Sequence, residues 1–243
     1  MVAQLPGIRY VITCNGAAVW DLGDDPMGAV HSRYANAAQR HTSEPACLLH
    51  RLMPTEVARE AFDLFQQYDG ELSVFSDGLA IKTPEGIATR TARFLSSEAR
   101  QNLTDGRFTV IPGIESWMSR HAHEIEKLCM FFDSTEKTAA ALPKFQAIPG
   151  VAVVQGSPDN IEVTAAGVDK GSALLALADR LGIPREATLA IGDSDNDRAM
   201  LARAGVAAVM ANALPEIRAL GDIVSTRDND HDGVAELFER LGL

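Results

Sequence analysis

Ala190-Ile191-Gly192-Asp193-Ser194-Asp195-Asn196-Asp197 reads as a buried strand that ends in a glycine and three carboxylates and runs at once into a helix. Carboxylates crowded at one strand end repel one another, and a divalent hard cation such as Mg²⁺ is the usual offset. In an open α/β sheet, ligands bind beyond the carboxyl ends of the strands, which is where Asp193, Asp195 and Asp197 fall. The start of the following helix offers free backbone N–H groups and a positive dipole end. Asn196 adds a neutral donor in the same turn. A metal ligand, an anion-friendly helix start and an amide together suit a phosphoryl group.

Working outward, short apolar strands alternate with helices. Residues 170–181 are a predicted helix closed by Gly182 and Pro184. Strands are expected at 189–191, 206–210 and 223–225, and helices at 198–204, 214–220 and 234–241. This alternation predicts a parallel sheet with helices on both faces. Lys170 opens its helix within Val168-Asp169-Lys170-Gly171-Ser172, at the wrong end of the dipole for stability. It gains a use if that helix packs beside the acidic loop, where its ammonium would neutralise a phosphate oxygen.

The first two thirds of the chain read differently. Residues 8–13 and 17–20 are two β-rich runs around Asn15-Gly16, a strong hairpin signal because both turn residues accept positive φ. Residues 23–45 look irregular and polar. A strand is expected at 47–50, and a helix opens at Met53-Pro54-Thr55-Glu56, with Val57, Ala61, Leu64, Phe65 and Tyr68 at helical spacing. A hairpin follows around Ser76-Asp77-Gly78, then a polar stretch over 84–107 that reads as a helix with loops, a strand at 125–132, a helix at 134–147 and a second hairpin over 151–164. Strands, helices and hairpins mixed in this way predict a small α+β lobe.

Composition sets limits. Of 243 residues, 46% are hydrophobic and 23% charged, which is ordinary for a globular protein. The net charge of -11 argues against a nucleic-acid surface, which needs Lys and Arg to replace counterions. No apolar run approaches the ~18 residues of a membrane span, and the first residues carry no signal core, so a cytoplasmic location is expected. Cys14, Cys47 and Cys129 are scattered and odd in number, which predicts buried thiols rather than a disulfide framework or zinc site.

A second acidic stretch, Asp228-Asn229-Asp230-His231-Asp232-Gly233 with Glu239 beyond it, satisfies the calcium-loop pattern. The context opposes calcium: an EF-hand needs a helix before the loop, and residues 222–225 read as a strand. An Asp-rich turn capping the last helix is the favoured reading.

These residues resemble the haloacid dehalogenase superfamily of phosphatases, in its Cof-type branch. Gly192-Asp193-Ser194-Asp195-Asn196-Asp197 resembles the fourth motif, GD-x-x-ND, and Val168-Asp169-Lys170-Gly171 the third, with its phosphate-binding lysine. Val209-Met210-Ala211-Asn212-Ala213 is similar to the MGNA segment, and residues 229–235 to the terminal signature. Tyr10–Ala17 is similar to the strand and NGA turn after the second motif. The resemblance implies a Rossmann-like parallel core over residues 1–21 and 166–243, and an inserted α+β cap over 22–165. It implies Mg²⁺ bound by Asp193 and supported by Asp197, a substrate phosphate held by Lys170 and Asn196, and hydrolysis of a small phosphorylated metabolite, a sugar phosphate or similar, through an aspartyl-phosphate. Asp195 falls at a variable position. His121, His123 and Trp117 lie in the cap as candidates for facing the site.

The resemblance also exposes a gap. The family's first motif, D-x-D-G-T, supplies the nucleophile and the acid/base, and the second a Ser or Thr on the phosphate. Both precede the NGA turn, and neither is present in this sequence. Asp21-Leu22-Gly23-Asp24 comes after the turn and lacks the second aspartate and the Gly-Thr, so no catalytic residue is assigned. In the family the first strand lies between the fourth and the second, with the third beyond. Two absent strands would leave a slot on the order of 10 Å with unpaired backbone along its borders. The expectation is an incomplete sequence with an upstream βαβ unit of roughly 30 residues or more omitted, inactive as it stands. The alternative is a non-catalytic protein that keeps the phosphate and metal pocket.

Overall fold

The computed structural model describes residues 8–23, 45–93 and 108–243. Residues 24–44, within the stretch read as irregular and polar, and residues 94–107 lie outside the described residues, and the helix expected within 84–107 forms over Pro84–Arg93. The chain is α/β, with a parallel sheet near its end and a mixed lobe before it.

The first hairpin forms where Asn15-Gly16 placed it. Strands β1 (Tyr10–Thr13) and β2 (Ala18–Asp21) pair antiparallel, Thr13 opposite Ala18 and Tyr10 opposite Asp21. Three successive residues carry positive φ: Cys14 at 51°, Asn15 at 57° and Gly16 at 101°. Gly16 is needed twice over. A Cβ there would stand 2.3 Å from the Asp169 carbonyl oxygen, so the turn presses directly on the chain entering the helix that begins at Lys170. Strand β3 (Ala46–His50) pairs with β2. Its hydrogen bonds place it in the hairpin's sheet.

The lobe follows as α1 (Thr55–Phe65), β4 (Gly70–Ser76), β5 (Leu79–Lys82), α2 (Pro84–Arg93), β6 (Phe108–Val110), α3 (Ile114–His121), β7 (Ile125–Phe132), α4 (Thr135–Gln146), β8 (Val151–Val154) and β9 (Asn160–Ala165). Its sheet runs β6-β5-β4-β7-β9-β8. All neighbours are antiparallel except β5 and β6. Leu72, Val74, Leu128, Met130, Ile161 and Val163 form one apolar face, packed with Phe62, Phe65 and Phe145 of α1 and α4. Phe65 and Phe145 stack with centroids 4.1 Å apart.

The last part comprises α5 (Lys170–Arg180), β10 (Leu189–Gly192), α6 (Arg198–Arg203), β11 (Val206–Val209), α7 (Pro215–Arg218), β12 (Ile223–Val224) and α8 (Gly233–Leu241). Strands β10, β11 and β12 are parallel and in that order. Apolar clusters cover both faces, one with Leu201 and Ile217, the other with Leu237 of α8. Helix α7 is a single turn, shorter than the helix expected over 214–220. Helix α5 packs on α6 and also against the 14–16 turn and the first hairpin. Among the described residues the outer edges of β1 and β10 have no strand partner.

Gly16→Ala combines a left-handed φ with a backbone clash, whereas Gly167 has φ +76° with nothing within 4 Å of a Cβ. The expected cost of Gly167→Ala is about 1–2 kcal/mol. Gly16→Ala should cost clearly more, as a larger drop in the urea unfolding midpoint. Equal midpoints for the two variants would refute the contact with Asp169.

Candidate active site

The acidic loop is built around Asp197. Gly192 ends β10, and a Cβ on it would lie 2.5 Å from the Asp197 Cβ, so the missing side chain makes the room that Asp197 occupies. Its Oδ2 accepts the backbone N–H groups of Asp193 at 3.1 Å and Ser194 at 3.3 Å. The Ser194 hydroxyl donates to the same oxygen at 3.3 Å. This is a capping box around the turn Asp195–Asp197. The other oxygen, Oδ1, accepts from Lys170 Nζ at 2.6 Å. Asp197 is buried, and both its oxygens are taken by donors.

Lys170 arrives because α5 packs on α6. Its helix is capped by Asp169, which accepts the Ser172 N–H at 2.7 Å and the Arg203 guanidinium at 2.9 Å. Lys170 also donates to Asn196 Oδ1 at 3.1 Å, and the Ser194 hydroxyl to that oxygen at 2.8 Å. The Asn196 amide is thereby oriented with Nδ2 beside Gly156 of the lobe. A lysine at a helix start, unhelpful to its own helix, is thus matched by a carboxylate on the neighbouring loop.

The three carboxylates part ways. Asp195 pairs with Arg198 and Asp197 with Lys170. Asp193 has no basic partner among the described residues. Its Oδ2 accepts from the Asn212 side-chain amide at 2.7 Å, and its Oδ1 accepts nothing among them. The structure therefore brings Asp193, Asn196, Asp197 and Lys170 to one strand end. Among the described residues no group of three or more His, Cys, Asp or Glu forms a metal cage. Asp193 offers one hard oxygen without a counter-charge, which fits Mg²⁺: that ion takes one or two carboxylates and completes its shell with water and substrate phosphate.

Residues that motif reading did not assign lie on the lobe side. Asn15 Nδ2 donates to Glu162 Oε2 on β9 at 2.7 Å, and Lys127 Nζ on β7 donates to the same oxygen at 2.9 Å. Asn160 Nδ2 donates to Oε1 at 3.1 Å. A Cβ on Gly156 would stand 3.1 Å from Asn196 Nδ2 and 3.3 Å from Glu162 Oε1, so the β8–β9 turn joins this cluster to the acidic loop. Burial opposes ionisation of Glu162, but the Lys127 charge and hydrogen bonds from Lys127 and Asn15, with Lys170 adding, outweigh it and hold the carboxyl below its ordinary 4.5. Burial likewise opposes the charge on Lys127, and Glu162 outweighs it, raising the ammonium above 10.5. Glu126 makes a second junction. It accepts from Cys14 Sγ at 3.3 Å and from Gly78 N–H at 3.0 Å, and it pairs with His50 Nε2 at 2.7 Å. No spacing rule could have found Glu162 or Glu126, because their partners lie across the chain.

Other candidates are occupied elsewhere. Trp117 stacks on His121 at 4.5 Å, and His121 and His123 pair with Glu124. None of the three contacts the acidic loop through a ring or a hydrogen bond. Asp21 pairs with Arg9 and accepts the Gly23 N–H, while Asp24 lies outside the described residues. In the 228–233 turn, Asp228 accepts from His231 Nδ1 and from the Asp230 N–H, and no calcium cage forms among the described residues.

Residues 38–238 match a family described as haloacid dehalogenase-like hydrolase. The chain is 28% identical over 258 residues to the phosphatase YwpJ of Bacillus subtilis, covering 98% of this chain and 90% of that one. A haloacid dehalogenase-like hydrolase from B. subtilis superposes with a TM-score of 0.74 at 23% identity, covering 97% of this chain and 80% of the other. The HAD subclass IIB sugar phosphatase BT4131 gives 0.67 at 18% identity, covering 97% and 76%.

Glu162→Gln removes the charge opposite Lys127 in a buried setting, where breaking an ion pair costs about 3–5 kcal/mol. Because the Glu162 carboxyl is depressed, its contribution is present above pH 4.5 and is lost as the pH falls further. The variant should unfold at lower urea than the parent at pH 7, with the difference shrinking below pH 4.5. A difference that stayed constant through that range would exclude the charged pair.

Proposed function

This chain belongs to the haloacid dehalogenase-like hydrolases, and we propose that it binds the phosphate group of small phosphorylated metabolites, such as sugar phosphates, for hydrolysis. The observation that carries this is the meeting of Lys170 and Asn196 beside Asp193, the one acidic-loop carboxylate with no basic partner among the described residues. Lys170 has donated two of its three N–H groups, to Asp197 and Asn196. The third N–H and the Nδ2 of Asn196 would be the donors for phosphate oxygens. Asp193 would hold Mg²⁺, with Asp197 supporting the loop that aims it. Bound there, the cation neutralises charge on the phosphoryl oxygens.

The lobe over residues 51–165 acts in this reading as a cap, with Lys127 and Glu162 on the sheet face turned to the core. Lys127 lies over the Phe75 ring, 4.5 Å from its centroid.

The family's nucleophilic aspartate is absent from this sequence. The open edges of β1 and β10 support its delivery on strands docked between them, from a segment not included in these 243 residues. On this reading, the residues given form the phosphate grip, and turnover needs the added segment.

Two preparations test the proposal, the chain as given and one extended upstream in its reading frame. Titration with inorganic phosphate in the presence of MgCl₂ should show binding to both. Lys170→Ala should weaken it tenfold or more, since a hydrogen bond to a charged group is worth about 1.5–3 kcal/mol. Hydrolysis of an aryl phosphate should appear only in the extended form. Phosphate binding without turnover in both would favour a non-catalytic binding protein. Phosphate binding indifferent to Lys170→Ala would refute the grip.

A further inference from the structure

Asn212 sits just after β11 and is exposed. Its Nδ2 donates to Asp193 Oδ2 at 2.7 Å, and its Oδ1 accepts the backbone N–H of Asn229 at 3.2 Å. These two bonds determine which way the amide faces, because only the oxygen can receive the Asn229 N–H. They also leave Asp193 Oδ1 as the oxygen that accepts no hydrogen bond from the described residues.

The segment that supplies Asn229 is itself held firmly. Glu236, on the first turn of α8, accepts the N–H groups of Thr226 and Arg227 at 2.9 Å, the Thr226 hydroxyl at 3.1 Å and the Arg240 guanidinium at 3.1 Å. The Thr226 backbone bond, followed by that of Arg227 and by Arg240, lowers the Glu236 carboxyl to about 2. Ser225 ties the other side: its Oγ accepts the Ala211 N–H at 2.9 Å, next to Asn212. The Asp228 carboxylate then closes the turn on the Asp230 N–H and His231. The acidic turn that mimics a calcium loop is therefore a rigid support.

We propose that Asn212 is a positioning residue that aims Asp193 at its cation, and that the 225–229 segment, pinned by Glu236, sets Asn212 through the Asn229 backbone. This rests on the reading of Asp193 as the Mg²⁺ ligand. An amide on one oxygen stops the carboxylate rotating and leaves the other in place for the metal. Partners of metal ligands act in this way, and their loss commonly costs 10–100-fold in affinity.

The test is calorimetric titration of the full chain with MgCl₂, alongside thermal unfolding of the metal-free protein. Asn212→Ala should raise the Mg²⁺ dissociation constant about tenfold without lowering the metal-free unfolding temperature. A merely structural role would do the reverse. Asn229→Ala keeps the backbone donor and should bind Mg²⁺ like the parent. Unchanged affinity in Asn212→Ala, with binding lost in Asp193→Ala, overturns the positioning role and leaves the ligand reading standing. Weakening by Asn229→Ala as large as by Asn212→Ala overturns the route through the backbone. No Mg²⁺ binding by the unsubstituted chain overturns the ligand reading, and the positioning role with it.

Discussion

The ion pair between Lys170 and Asp197 is the contact on which the site depends. It spans 27 residues of chain and fixes the start of α5 against the loop after β10. The same end of α5 carries Asp169, whose carbonyl receives the Gly16 turn. One helix start therefore gathers the first hairpin, the acidic loop and, through Asn15 and Glu162, the lobe sheet. A partly buried ion pair loses hydration and repays it only when its remaining lone pairs are satisfied. Asp197 meets that condition, with two backbone N–H groups and a hydroxyl on its second oxygen.

Local pattern made part of this legible. The apolar run before Gly192, the crowded carboxylates and the alternation of strands and helices after residue 170 are contiguous features, and they placed β10, α6 and β11 within a residue or two. Asn15-Gly16 was legible as a turn because φ preference is local. Its second role, the Asn15 amide on Glu162 147 residues away, is a property of the folded chain alone. Lys170 lay between these cases. Its place was readable, and its partner depended on whether α5 met α6. The strand β6 and helix α3 carried no readable signal: β6 is three residues long, and α3 starts at Gly113, which has positive φ and offers no side-chain cap. Strand β3 read correctly as a strand, but its pairing with β2 could not be taken from its own residues.

The lobe sheet shows why burial in this chain does not mean apolarity. Across one row, Lys82 stands opposite Ser73, Ser73 opposite Cys129 and Cys129 opposite Glu162. That face is buried and polar, while the opposite face is the apolar core. Its charges survive burial as the pairs Lys82–Glu71 and Lys127–Glu162. Burial pushes the Cys129 thiol up to about 12 and raises that of Cys14 as well, so neither is a nucleophile near neutral pH. A register shift between Phe75 and Ser76 releases Glu126 from the alternation of β7, as a bulge does when it re-aims a side chain. That carboxylate can then reach Cys14, His50 and the Gly78 turn. Glu162 and Glu126 join the lobe to the first hairpin at two separate points.

On the proposed reading, these contacts also couple the binding of cation and phosphate. With Asp195 and Asp197 each matched by a basic side chain, the residual negative charge of the loop is that of Asp193. A phosphate dianion seated on Lys170 and Asn196 would meet it at close range, in surroundings less screened than water. A divalent cation on Asp193 converts that repulsion into attraction on both sides. Cation and phosphate should therefore each strengthen the binding of the other, by the reciprocity that linkage requires. The Lys170–Asp197 pair need not break, because the ammonium keeps a donor in reserve. On the proposed reading the grip would be preorganised for an anion and unfavourable to it until the cation is present, and Asn212, bonded to Asp193 Oδ2, would leave Oδ1 as the oxygen for the metal.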